Sequence, residues 1–158
     1  MTPIRKAAAL VAVVMLTVFA CAASAADSSE LDAFKAAIRA QYDLKEKAFA
    51  DGDPNPIVEQ FYSEDVISVD NDGNTHRGRA ELRPVYEEVT KFGNVRIESV
   101  NTKVSGNMGW DWANFYVTPK DPAEKPFSFK ILFLWEKLDG RWLSAGDMYV
   151  LGRFDVEQ

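Results

Sequence analysis

Near Asn94 the spacing of the apolar residues changes, and that change restricts what the chain can fold into. Before it, Leu31, Phe34, Ile38, Tyr42 and Phe49 recur on one stripe of a helix, and Ala80, Leu82, Val85, Tyr86 and Val89 on another. After it, apolar residues alternate. Helices followed by strands predict an α+β domain in which one face of a mainly antiparallel sheet covers the helices.

Signals at the element ends refine the plan. Ser28 and Ser29 are candidate N-caps, Gly52 ends the first helix, and Asn55-Pro56 opens a short second one that turns Ile57, Val58, Phe61 and Tyr62 inward. Val66 to Asp70 reads as a short strand, Asn71-Asp72-Gly73-Asn74 as a reversal, and the residues up to Gly78 as a second strand. Gly93 closes a third helix. Strands then span Asn94 to about Val104, Met108 to Val117, Phe127 to Glu136 and Arg141 to Val150, with a proline-rich loop from Pro119 to Pro126.

Two faces carry the functional argument. On the Met108 strand, Trp110, Trp112, Asn114 and Tyr116 share one face, while Asp111, Ala113, Phe115 and Val117 share the other. The last two strands meet at Leu138-Asp139-Gly140. A three-residue loop pairs Trp135 with Leu143, Phe133 with Ala145 and Ile131 with Asp147, which puts Asp147 on the Trp135 face; a two-residue loop sends it to the opposite face. Aromatic residues make up 12% of the chain, so a bent sheet leaves either a hollow beneath its rings or a filled core.

The first 25 residues differ in kind. Arg5 and Lys6 precede an apolar run from Ala7 to Ala20, and Ala23-Ser24-Ala25 has the form of a cleavage site, so residues 1–25 read as a signal peptide and 26–158 as a single exported domain, periplasmic or secreted. The run is too short for a transmembrane anchor. A lipoprotein is the alternative, because Val18-Phe19-Ala20-Cys21 loosely resembles a lipobox with Cys21 as its anchor. Cys21 is the only cysteine, so a chain cleaved after Ala25 has no disulfide, cysteine nucleophile or cysteine metal site. Without Arg5 and Lys6 the 18 basic residues become 16 against 24 acidic ones, a net charge of −8, which argues against nucleic acid as a partner.

Asp70 stands where a strand empties into a turn. A carboxylate there either works as an acid or base, its pKa raised by walls such as Trp112 and Phe129, or caps the turn by accepting backbone N–H groups. Asp147 supplies a second carboxylate to the same hollow, or pairs with a nearby Arg or Lys. His76, the only histidine, either moves protons near neutrality or is a partly exposed strand residue. Asn114, among Trp110, Trp112 and Tyr116, either orients a ligand or is a core amide satisfied by backbone. Nothing calls for a cofactor. Ser68, Asp70, Asp72 and Gly73 mimic a calcium loop, but its twelfth position is Arg79, and one histidine leaves too few zinc ligands.

Several short motifs carry a resemblance: Asp51-Gly52-Asp53 followed by Ile57-Val58 and Phe61, Val69-Asp70-Asn71-Asp72-Gly73, His76-Arg77-Gly78-Arg79-Ala80-Glu81-Leu82, and Trp135-Glu136-Lys137-Leu138-Asp139-Gly140-Arg141-Trp142. In their order the chain resembles the nuclear-transport-factor-2-like superfamily, particularly its SnoaL-like branch. The resemblance implies a cone-shaped α+β barrel, three N-terminal helices packed on a curved, mainly antiparallel sheet, with a pocket between them and commonly a homodimer. Members include ketosteroid isomerase, scytalone dehydratase, polyketide cyclases and proteins that only bind, so the fold does not fix the chemistry.

Carried over by position, Asp70 falls on the proton-shuttling aspartate of the isomerase branch. The oxyanion-binding tyrosine of the first helix falls near Lys45, with Tyr42 one turn away, and the assisting acid falls near the apolar Ile131. Three functions follow: binding of a small, largely apolar molecule by Tyr42, Trp110, Trp112, Asn114, Tyr116 and Phe129; a lyase or isomerase with Asp70 as general base, helped by His76 or Asp147; and a homodimeric interaction module.

Overall fold

The computed structural model describes residues 7–155, with side chains from residue 27 onward. Arg5 and Lys6, and the side chains of the apolar run, Cys21 and Ala23-Ser24-Ala25, lie outside the described residues. Helix α1 spans Ala7–Asp51 and stops at Gly52, whose φ of 70° is the left-handed conformation that terminates helices. It runs through Ser28 and Ser29, so neither caps it. Among the described residues no helix is long and apolar enough to cross a membrane.

A π-helical turn, Ile57–Phe61, stands where the short second helix was expected. Then come β1 (Tyr62–Val69), β2 (Thr75–Arg77), α2 (Gly78–Phe92), β3 (Gly93–Ser105), β4 (Met108–Pro119), β5 (Phe127–Leu138) and β6 (Arg141–Leu151). They form one sheet in the order β2-β1-β6-β5-β4-β3, antiparallel except where β1 lies parallel to β6. Register shifts in three of the five pairings bend the sheet around the helices, which is the α+β plan expected of the chain. The Lys120 ammonium ties the ends of both helices to the loop after β4, donating to the Phe49 and Thr90 carbonyls.

Close approach at two points needs glycine. A Cβ on Gly146 would lie 3.0 Å from the Ile67 carbonyl of the parallel neighbour, and one on Gly109 only 2.6 Å from the Phe34 ring. Between helices and sheet, Tyr42, Phe61, Phe133 and Trp135 interlock with ring centroids 5.3–6.4 Å apart.

Two expectations about faces are corrected. The β5–β6 turn has two residues, Asp139 and Gly140, both with positive φ as in a type I′ turn, so the three-residue pairing of Trp135 with Leu143 does not form. That register alone would turn Asp147 outward. A bulge at Ala145, between the Trp135–Ser144 and Leu134–Gly146 pairs, reverses the parity and sets Asp147 opposite Phe133 on the inner face. On β4 the inner face is Asp111, Ala113, Phe115 and Val117, all buried, whereas Trp110, Trp112, Asn114 and Tyr116 belong to the outer face. Asn114 is buried there because the C-terminal tail crosses it, exchanging two hydrogen bonds with the Phe154 backbone.

Candidate functional site

Beneath the concave face lies a cavity of about 170 Å³. Val85, Val89 and Phe92 of α2 form one wall, and Phe115, Val117, Phe129 and Ile131 of β4 and β5 form the other. Its polar groups are few: Lys45 from α1, Tyr86 from α2, and Asp147 and Tyr149 from β6.

Each is placed by its element. Lys45 sits on the buried stripe of α1 between Tyr42 and Phe49 and is 2% exposed. Its Nζ donates to the Tyr62 hydroxyl at 2.8 Å and the Tyr86 hydroxyl at 2.9 Å, and lies 4.2 Å from the Phe61 ring centroid. Tyr62 opens β1 at its register shift, where the Arg79 guanidinium satisfies the Tyr62 carbonyl. Asp147 faces Ser68 across the parallel β1–β6 pair and accepts from both the Ser68 and the Tyr62 hydroxyls at 2.5 Å.

The network has a direction. Tyr62 gives its only proton to Asp147, so in the 2.6 Å contact between the two phenols Tyr86 is the donor. Tyr86 can turn that proton into the cavity and leave no group stranded, because Tyr62 still accepts from Lys45. Burial draws the Lys45 ammonium down to about 7, against the opposing pull of the Asp147 carboxylate. Burial, then the charge of Asp147, pushes Tyr62 and Tyr86 well above the ordinary tyrosine value and Tyr149 up to about 12. An amine near neutrality, hydroxyl donors and a carboxylate thus form one hydrogen-bonded cluster on an apolar hollow.

A second buried carboxylate lies outside the cavity. Asp111 accepts from Tyr42, Ser99 and Thr102, each at 2.7 Å, and burial raises its pKa against those hydrogen bonds. Fully satisfied, this group locks α1 to the irregular part of β3.

Of the residues singled out by sequence, Asp147 and Phe129 line the cavity. Tyr42 does not, since its hydroxyl is spent on Asp111. Asp70 accepts from the Asp72 and Asn74 backbone N–H groups and the Asn74 amide, which first of all hold its pKa below the ordinary value; it is the turn cap. His76 lies 3.6 Å from Asp70, away from the cavity. Trp110, Trp112, Asn114 and Tyr116 are on the far side of the sheet. Lys45, Tyr62, Ser68 and Tyr86 were not anticipated as site residues. Two signals pointed to Lys45: it falls near the position of the family's oxyanion-binding tyrosine, and it interrupts the apolar stripe of α1, where a lysine needs a reason.

The family model described as a SnoaL-like domain matches residues 38–145. Among solved structures, a protein of unknown function from Mycobacterium tuberculosis superimposes with a TM-score of 0.71 at 21% identity, covering 80% of this chain and 76% of its own. An NTF-2-like protein from Shewanella oneidensis gives 0.65 at 17%, covering 73% and 98%. A ketosteroid isomerase-like protein from Erwinia carotovora gives 0.62 at 21%, covering 75% and 96%. No curated protein matches the chain.

Proposed function

We propose, on the premise that this chain belongs to the SnoaL-like domain family, that it binds a small, largely apolar molecule carrying one hydrogen-bond acceptor. The observation that carries this reading is the segregation of the cavity lining: apolar walls, with Lys45, Tyr86 and Asp147 joined through Tyr62 in one hydrogen-bonded cluster. Its volume of about 170 Å³ is close to the roughly 150 Å³ that holds a benzene molecule in an apolar protein interior, so one ring or a short chain fits within it. Thermal unfolding with acetophenone and with ethylbenzene tests this, because the two differ chiefly in the carbonyl. Acetophenone is expected to raise the midpoint more. Equal, negligible shifts for both would remove the proposal.

Proton transfer next to a carbonyl is a second reading, favoured by Asp147 lining the cavity. In it Asp147 replaces Asp70 as the acid–base group, since Asp70 is committed to its turn. The domain also pairs with a second copy through its apolar outer face, and the leader-like residues 1–25 direct it out of the cytoplasm. Sequencing the N-terminus of the chain recovered outside the cytoplasm is expected to start at Ala26; an intact Met1 would overturn export by cleavage.

A further inference from the structure

We propose that Lys45 captures its ligand covalently, as an imine between Nζ and the carbonyl carbon of a small aromatic aldehyde or ketone lodged in the cavity. This rests on the ligand-binding reading above and names the reacting group of the ligand. Lys45 lines the cavity, so a guest within the apolar walls reaches it without unfolding. Its hydrogen-bond partners are two neutral phenols, and none of the ion pairs among the described residues includes it. An ammonium there has three N–H donors and two acceptors, whereas a neutral amine fills both acceptors and keeps a lone pair for a new bond. Burial moves the balance the same way, drawing the group down to about 7.

The neighbours supply the proton traffic. The amine lone pair forms the C–N bond while the carbonyl π pair moves to oxygen. That oxygen takes a proton from Tyr86, which recovers one from the attached nitrogen over the 2.9 Å contact, giving a carbinolamine. Next the C–O bond breaks and its electron pair leaves with the oxygen. Tyr86 gives that oxygen a second proton, which completes water, while the nitrogen lone pair closes the C=N bond. The iminium then returns its proton to the Tyr86 oxygen, so the phenol is restored. Amine and carbonyl become imine and water, with no oxidant or reductant required.

Incubation of the intact protein with acetophenone or benzaldehyde and cyanoborohydride, followed by intact-mass measurement and peptide mapping, tests the proposal. One addition of the probe's mass less one oxygen atom, mapped to Lys45 and saturable, is expected, with loss of that addition in Lys45→Met. The wild-type map decides the question even where the variant fails to fold. If acetophenone raises the unfolding midpoint but Lys45 is unmodified, or is modified no more than surface lysines, covalent capture is overturned and the binding reading stands. If neither adduct nor shift is seen, both fall.

Discussion

Held between two phenols and beside the Phe61 ring, the Lys45 amine has given up more hydration of its charge than these groups and Asp147 restore, and this has a thermodynamic signature. Unfolded, it binds a proton at its ordinary value of 10.5; folded, only below about 7. Between those limits the unfolded state holds more protons, so stability rises with pH across the window and the folded state bears the full penalty below it. The slope is at most about 1.4 kcal/mol per pH unit. Urea unfolding of the wild type and Lys45→Met from about pH 7 to about pH 9 isolates this contribution as their difference, and the wild type is expected to gain stability on the variant as pH rises. Parallel profiles would mean that the amine stays charged in the fold. At this scale the sequence was half legible. Asp70 was readable as a cap, because Asp before Asn-Asp-Gly-Asn has backbone donors within reach whatever the fold. Lys45 was not, because its partners Tyr62 and Tyr86 come from two other elements and only the tertiary fold brings them to it.

Secondary elements were legible where period alone defines them. The helical stripes, the alternating strands and most turn positions follow from spacing, whereas the start of the first helix does not, since α1 begins at Ala7 and runs straight through the candidate caps Ser28 and Ser29. What spacing does not encode is which of two alternating faces turns inward. On β4 both faces are rich in bulky apolar residues, and the tryptophans sit outside because the tail, through Phe154, covers part of that surface: its ring stacks edgewise on Trp112. β6 shows the complementary case. There the turn is the two-residue alternative, which alone would face Asp147 outward, yet Asp147 faces inward, since the bulge at Ala145 reverses the parity. A bulge has no sequence signature strong enough to be read locally, so the position of the one carboxylate in the cavity rested on two irregularities that cancel.

Across the whole molecule the concave face is occupied by helices and cavity, and the convex face is left to water except where the C-terminal tail crosses Asn114 and Trp112. There the register lines up Trp110, Leu134 and Ile67 across the central strands, with Gly146 in the same row, and Trp112, Leu132 and Met148 in the next. Leu134 is 45% exposed, Met148 53% and Val150 51%, so these side chains form a continuous apolar surface rather than scattered exposures. A net charge of −6 adds long-range repulsion between copies but does not cover that surface. The same face pairs with itself if two copies meet about a twofold axis, each row of one copy against a row of the other. Sedimentation velocity at micromolar concentration is expected to show a dimer, and Leu134→Glu or Met148→Glu a monomer with an unchanged far-ultraviolet spectrum, because a carboxylate in either row would be buried unpaired. Since the cavity opens on the other side of the sheet, those variants should keep the acetophenone-induced shift. A wild-type chain that sediments as a monomer at the highest soluble concentration would remove the dimer and leave the cavity's chemistry untouched.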